Sequence, residues 1–531
     1  MTITTGTTRS PEAEATTAAR TGHGARTQHG QATHPAGGPD PRRRGGPRPD
    51  GPGHRLRREP AAAWDALRRR HWATLPARLR LLRAATASLT TALALLLLLS
   101  GLAVSGTWDA IAGRDAPRTT SATDLDLSLN DMDAQAANIL LSSGDATGRG
   151  RMKTPYRKAV AFYGDARRAI GHDLRTLAVA AEGDRAAEKT VESLTDDFAE
   201  YQELIGRALE NDGRPGGKAA AIADYRTATD LLQDRLLPQA RKLVDSNNRA
   251  FEEEYRAARS ALAARLAAGV TLGALLLALL GVLQWYLART FRRVLNPGVL
   301  AATVCTLLAV LLGAQMLDAS GEDLRGARRD AFDSVVALSR ARATAYDANA
   351  DESRYLLDPQ RRSQYERAFW DKSQQLYGVK GAILSTYDDG LDRTWRAYRR
   401  DPGDREFTGE FRRELDNITF TGERAAAERT VEAYAVYQRD DRRIRALVAE
   451  GRQREAVEFC ISWEPGMSND HFGAWMDALD RVTDINRHHF AASVSAGRST
   501  VTGLLPWACG LLLAAGALTI LGLRPRLAEF R

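Results

Sequence analysis

The 531-residue sequence is poor in cysteine, with three, and in aromatic residues, at 7%. Cys305 and Cys509 fall inside apolar stretches and Cys460 stands alone outside them, so no disulfide can close within one polar segment. Alternating Val/Ile/Thr runs are scarce, and Gly and Pro are confined to places such as NDGRPGGK and RRDPGDREF, which disfavours strands. The chain has no glycine-rich phosphate loop, kinase signature, metal-hydrolase motif or polar catalytic cluster, and no charges inside the apolar runs to mark an ion path. An enzyme is therefore disfavoured, and no cofactor or metal site is expected.

What is present is long apolar sequence. Four stretches, 84–106, 266–288, 299–317 and 499–523, are each near the ~20 residues that cross ~30 Å of hydrocarbon as a helix, and none holds an internal charge. The first begins more than eighty residues into the chain without a convincing cleavage site, so it reads as an anchor and not a signal peptide. Basic residues set the orientation. Arginines crowd 59–83, the loop 289–298 carries Arg289, Arg292 and Arg293, and the tail 524–531 carries Arg524, Arg526 and Arg531 against Glu529. By the positive-inside rule both termini and the loop are cytoplasmic in a multi-pass cell-membrane protein, and 107–265 and 318–498 lie outside.

Both outer segments show a period near 3.6 and are rich in Ala, Leu, Arg and Glu. The expected fold is an all-α membrane protein with four transmembrane helices and two tandem extracytoplasmic antiparallel helical bundles. An internal repeat supports it. GDRAAEKTVE from Gly183, then FAEYQ from Phe198, is matched by GERAAAERTVE from Gly422, then YAVYQ from Tyr434. DAQAANILLSSG from Asp133 likewise matches DANADESRYLLD from Asp347, the first copy keeping the small residues and losing most of the charge.

The second copy is the main candidate site. Val336, Ser339, Ala343, Tyr346, Ala350, Ser353 and Leu357 make a heptad seam, flanked on one side by Arg340, Thr344, Asp347, Asp351, Arg354 and Asp358 and on the other by Arg342, Asn349 and Glu352. The charges are thus expected to border the core. Three readings stand: a salt-bridge ladder in which Asp351 pairs with Arg354, a groove for a zwitterion or a basic partner, and an oxygen-only metal site, the last disfavoured for want of a nearby His. The candidate partner- or ligand-binding residues are Asp347, Asn349, Asp351, Glu352, Arg354 and Tyr355.

Other motifs carry less. In FCISWEPGMSNDHFGAWMD, Ser468 or Asn469 is expected to cap the helix leading to the last span, with Trp463, Phe472 and Trp475 as apolar anchors. Cys460 with His471 lacks a third orienting group for nucleophilic chemistry. His488 and His489 are adjacent, about 100° apart on a helix, and poorly placed to chelate together. Residues 1–58, rich in Thr, Gly, Pro and Arg, form a basic cytoplasmic arm expected to be disordered, its Thr residues open to a kinase. Residues 59–83 read as a juxtamembrane amphipathic helix, with Trp64, Arg68, Arg69, Arg70, Trp72 and Arg78 holding anionic lipid; no helix-turn-helix pattern suggests specific nucleic-acid binding.

The tandem arrangement and ARATAYDANADESRYLLD from Ala341 resemble the actinobacterial membrane protein of the glutamine-related kinase system, over about 84–523 and most clearly in the second bundle. The resemblance implies a link between an amino-acid-binding lipoprotein outside and a soluble Ser/Thr kinase, protein kinase G, inside. It carries over only to Asp347, Asn349, Asp351, Glu352, Arg354 and Tyr355. With no large cytoplasmic domain after a span, a signal would leave through a partner; a homodimer and direct binding of a ligand stay open, as does a scaffold role in a transporter or cell-envelope complex.

Overall fold

The computed structural model describes residues 75–143, 152–291 and 295–528. Four long helical rods dominate it: 77–142, 218–290, 297–357 and 468–525 each contain one apolar stretch. At 1.5 Å per residue the 66-residue first rod is roughly 100 Å long, far more than a bilayer needs. The protein is a multi-pass, all-α membrane protein.

The first rod is α1 (Leu75–Ala110), a π-helical turn (Ile111–Asp115) and α2 (Ala116–Ser142). Helices α3 (Lys153–Ala180), α4 (Arg185–Asp212) and α5 (Lys218–Leu231) follow, and α5 runs through a second π-helical turn (Leu232–Leu236) into α6 (Leu237–Phe291). The second half repeats the plan with α7 (Pro297–Arg325), a π-helical stretch (Gly326–Phe332), α8 (Asp333–Leu357), α9 (Arg362–Leu376), α10 (Tyr387–Arg400), α11 (Glu410–Asp416), α12 (Glu423–Ala449), α13 (Gln453–Ile461) and α14 (Ser468–Ala528). Two-residue strands, β1 (Gly378–Val379) and β2 (Phe407–Thr408), pair antiparallel among the short helices between α9 and α12.

The repeat explains the matching helix starts. Gly183 and Gly422 both adopt left-handed backbone, φ 88° and 87°, just before α4 and α12, where a side chain would be strained. Asp184 then caps α4 by accepting from the Ala186 and Ala187 amides at 3.0 and 3.2 Å. Ser468, one of the two expected caps of α14, does not serve as one. Ser468 Oγ has no hydrogen bond, and Asp470 instead accepts from Gly466 N at 3.0 Å, holding the preceding turn.

The spans pack through Leu93, Leu97, Leu276, Leu280 and Leu512, while Leu99, Leu311, Trp507 and Leu513 stay exposed, as lipid-facing positions do. A collar of Trp108, Ile111, Phe251, Tyr255, Leu324 and Phe332 joins spans to bundles. Beyond it α2 and α8, the first helices of the two bundles, pack along one another. Leu357 of α8 belongs to the core of the first bundle. The bundles are therefore interlocked.

Candidate functional site

Because α8 lies between its own bundle and the first, its C-terminal half, 347–357, has no solvent face. Asp347, Asn349, Asp351, Glu352 and Arg354 are each 3% exposed or less, and Tyr355 9%. The expectation that the charges border the core is corrected: they fill it. A seam flanked by charges fits a helix with one apolar stripe, whereas from Asp347 onward α8 is packed on every side.

Arg354 crosses into the first bundle. Its Nε and Nη2 donate to Asp133 Oδ2 at 3.0 and 2.6 Å, and its Nη1 donates to Asp351 Oδ1 at 2.6 Å and Asp347 Oδ1 at 3.2 Å. Asp133 is fully buried and takes further donors from its own bundle: Tyr201 Oη at 2.8 Å, Tyr225 Oη at 3.0 Å and Thr229 Oγ1 at 3.4 Å. Lys372 of α9 binds Asp351 and lies 2.9 Å from Asp347 Oδ1. Gln233 donates to Asp347 at 3.0 Å, and Arg241 stands 3.6 Å from it. Burial alone would raise the Asp347 carboxyl, but Lys372 and Arg354 outweigh it and hold the group below its ordinary range. Asp351 goes the other way, raised by burial that the same two cations only partly offset.

A second knot adjoins the first. Glu352 accepts from Tyr437 Oη at 2.7 Å, while its Oε1 and Asn349 Nδ2 have no partner. Burial, then the nearby Asp441, pushes its carboxyl well above the usual range. Tyr355 lies between Arg445 and Arg362, 4.6 and 5.3 Å from the ring centre. Ser353 Oγ donates to Asn138 Oδ1 of the first bundle at 2.8 Å. Outer ties run the same way, Arg226 to Asp358 and Arg361 to Asp230 at 2.6 and 3.0 Å.

The arrangement is a latch between bundles. Apart from Glu352 Oε1 and Asn349 Nδ2 its charged and polar groups are bonded to one another, and among the described residues no nucleophile and base are paired in it. Among the described residues no His/Cys/Asp/Glu group could hold a metal. Cys460 lies 4.0 Å from Ser353 Oγ with its thiol raised by burial, opposite to an activated thiolate, and His471 Nδ1 is 2.7 Å from Asp440. His489 stacks on Phe420, and the His488 ring is 6.0 Å from it at 81°, so the pair does not converge. Trp463 packs 5.4 Å from Phe162 of the first bundle, and Phe472 and Trp475 enter the second core. Arg78 is exposed on α1; Trp64, Arg68, Arg69, Arg70 and Trp72, with the 1–58 arm, lie outside the described residues.

Sequence reasoning missed the acceptor. Asp133 looked like the remnant of a degraded copy, yet it is the anion that Arg354 needs. The signal was present in the repeat, because Tyr201 and Tyr437, the tyrosines of the two YQ pairs, both donate to a carboxylate on their bundle's first helix. Also missed were Arg114 and Arg328, which occupy counterpart positions in the first and third π-helical stretches. Both reach one segment of α6. Arg114 donates to Glu254 at 2.8 and 2.7 Å, whereas Arg328, 2% exposed, donates to Asn248 at 3.0 Å and lies 3.5 Å from Glu252.

Residues 107–256 match the family profile of the actinobacterial sensor domain. That span is the first bundle with both of its membrane-proximal ends, including Asp133 and its hydroxyl donors, and not the second bundle on which the resemblance in sequence was clearest. The match supports a sensing or signalling role and a non-enzymatic one. No curated protein and no solved structure matches the chain.

Proposed function

We propose that the protein is a non-enzymatic transmembrane signal relay. It senses an extracytoplasmic amino acid of the glutamate, aspartate or glutamine type through a solute-binding lipoprotein and passes the signal to a cytoplasmic Ser/Thr kinase. The observation that carries this reading is continuity: Asp133 and Arg354 stand on helices that each run through one π-helical stretch into a span. π-Helical turns absorb changes of register, and a change in the latch is thereby a shift or rotation of the spans. The sensor-domain match supports the sensing role, and the arginines flanking the spans support bundles that face outward.

Asp347, Asn349, Asp351, Glu352, Arg354 and Tyr355 respond to the docked lipoprotein by exchanging partners, since their burial leaves little for direct contact. At the other end, Asn296 Oδ1 caps α7 at Gly298 N, 3.0 Å, while its Nδ2 donates to Gly522 O at 3.0 Å, so movement of the fourth span reaches the 289–298 loop that a kinase or adaptor would read. Trp64, Arg68, Arg69, Arg70, Trp72 and Arg78 hold the arm to anionic lipid.

Spin labels at Ala84 and Leu521, both exposed, in a cysteine-free background in lipid nanodiscs, test the relay. The inter-label distance should change on Arg354→Ala and on adding the amino-acid-loaded lipoprotein. A distance indifferent to both would leave a static scaffold of a transporter or cell-envelope complex.

A further inference from the structure

Roughly two helical turns closer to the spans than Asp133, a cleft of about 270 Å³ opens between the bundles. Five helices line it: Asp126 comes from α2, Arg241 and Asp245 from α6, Arg340 from α8, Gln375 from α9 and Glu410 from α11. Some of these charges are already matched. Arg340 donates to Asp245 at 2.6 Å, and Glu410 Oε1 accepts from Arg413 at 2.7 Å. Three groups are not. Asp126 is 6% exposed and its Oδ1 has no hydrogen bond, the nearest cation being Arg241 Nε at 3.5 Å. Glu410 Oε2 is buried without a partner. Arg241 is half exposed, and its two carboxylate neighbours, Asp126 and Asp347, stand off at 3.5 and 3.6 Å.

Buried polar atoms without partners are uncommon and call for an explanation. Here two acids that each hold a buried oxygen lacking a donor, and a guanidinium lacking a close acceptor, line one small cavity. We infer that the cleft is a direct binding site for a small zwitterion of the amino-acid class, its ammonium on Asp126 and Glu410 and its carboxylate on Arg241. A guanidinium takes a carboxylate bidentately, which a long contact to Asp126 does not exploit. A diamine would leave Arg241 without an acceptor, a simple carboxylate would face Asp126, and the volume suits one residue better than a peptide. Gln375 supplies a polar wall that suits a neutral polar side chain.

Arg241 connects this cleft to the latch. A ligand carboxylate that recruits it draws it from Asp347, leaving that carboxylate to Lys372, Arg354 and Gln233. The occupancy of the site stands apart from the relay reading; its effect on the latch rests on that reading.

The test is equilibrium binding of radiolabelled L-serine and L-glutamine to the full chain in nanodiscs, with putrescine and propionate as singly matched competitors. At least one zwitterion should bind saturably, with affinity lowered about tenfold or more by Asp126→Asn and by Arg241→Gln, and no more than about twofold by Arg452→Gln at the far hairpin. Glu410→Gln is the further variant should either of the first two fail to fold by thermal melting, and about tenfold weakening is expected there too. No saturable binding up to about 10 mM, binding indifferent to the cleft variants, or competition by putrescine equal to that of unlabelled serine would overturn the site. Binding without a change between the spin labels sinks the relay and leaves the site; movement on Arg354→Ala with no zwitterion bound sinks the site and leaves the relay.

Discussion

The two bundles descend from one pattern and have taken opposite characters. The first fills its core with Ala and Leu, among them Ala136, Ala137, Leu174 and Leu232, and keeps Tyr201 and Tyr225 around one acid. The second is packed with rings: Tyr377 stacks on Phe407 at 4.2 Å, and Trp475 contacts Tyr434 and Tyr437 at 4.9 and 5.3 Å. It also carries the β1–β2 and α10–α11 insertion where the first bundle has a short turn from Ala180 to Arg185. The difference teaches a division of labour. The second bundle supplies a braced helix with a projecting Arg354; the first supplies a small-residue socket with Asp133.

Arg354→Ala should break that division most severely. It would leave Asp133, Asp347 and Asp351 buried with Lys372 as the remaining close cation, and stripping one partner from a buried pair costs about 3–5 kcal/mol. Chemical denaturation in detergent measures it. Asp133→Ala should lose less, because Arg354 retains Asp351 and Asp347, and the double variant should lose less than the sum of the two. A loss under about 1 kcal/mol for Arg354→Ala would mean that the bundles do not depend on the latch.

The collar gives a second contrast between halves. Arg328 is buried between Phe251 and Phe332, 4.8 and 5.8 Å from their ring centres, so Arg328→Ala should cost about 3 kcal/mol through lost packing and lost bonds to Asp333 and Asn248, while Glu252 keeps Arg329 and Arg256. Arg114, 53% exposed, makes a solvent-facing pair with Glu254 and donates to the buried Asp115 at 2.8 Å, and its replacement should cost about 1–2 kcal/mol. Equal losses would erase the asymmetry at the membrane surface.

Much of this was legible in sequence, and the failures share a cause. The spans follow from length and apolarity, which need no knowledge of neighbours. The duplicated helix starts at Gly183 and Gly422 follow from local chemistry. The position of α8 does not, because its pattern of Ala and charge looks solvated until the partners are known, and Asp133 lies 221 residues from Arg354. Ser468 failed as a cap for a related reason: Asp470, two residues on, took over the turn.

A pH experiment compares the two copies at one repeat position. Asp184 is an exposed cap, whereas its counterpart Glu423 is fully buried, accepting from Asn486 at 2.6 Å and from the Thr419 and Phe420 amides at 2.7 and 2.9 Å. Burial, then Glu423, pushes the neighbouring Glu414 up to about 8. An acid raised on folding contributes fully below its unfolded pKa and loses that contribution as pH rises towards about 8. Glu414→Gln cannot ionise. Its stability relative to wild type should rise from pH 4 to pH 8 and then level, gaining roughly 2–4 kcal/mol, because every other acid titrates equally in both proteins. A flat difference between the two melting curves across that range would contradict the buried acid pair.

The smallest effects should fall on the two sets of tyrosine hydroxyls, and they discriminate between socket and brace. Tyr201→Phe leaves Asp133 Oδ1 with Thr229 at 3.4 Å, so a buried carboxylate loses its better donor. Hydrogen bonds to charged groups contribute about 1.5–3 kcal/mol, and Tyr225 on the other oxygen keeps the loss near the lower end. In the second bundle Tyr387 Oη meets Tyr377 O at 2.7 Å, Ser373 O at 3.0 Å and Tyr434 Oη at 2.8 Å. Its loss as Tyr387→Phe should cost about 1 kcal/mol, because the groups left behind are neutral and Tyr434 still reaches Ser373 O at 3.3 Å. The stronger distinction is in coupling. Combined with Arg354→Ala, Tyr201→Phe should be markedly less costly than alone, since both bonds serve one carboxylate, while Tyr387→Phe should add independently. Additivity in both cases would separate Asp133 from the second bundle energetically and leave the interlock to packing and the outer ties.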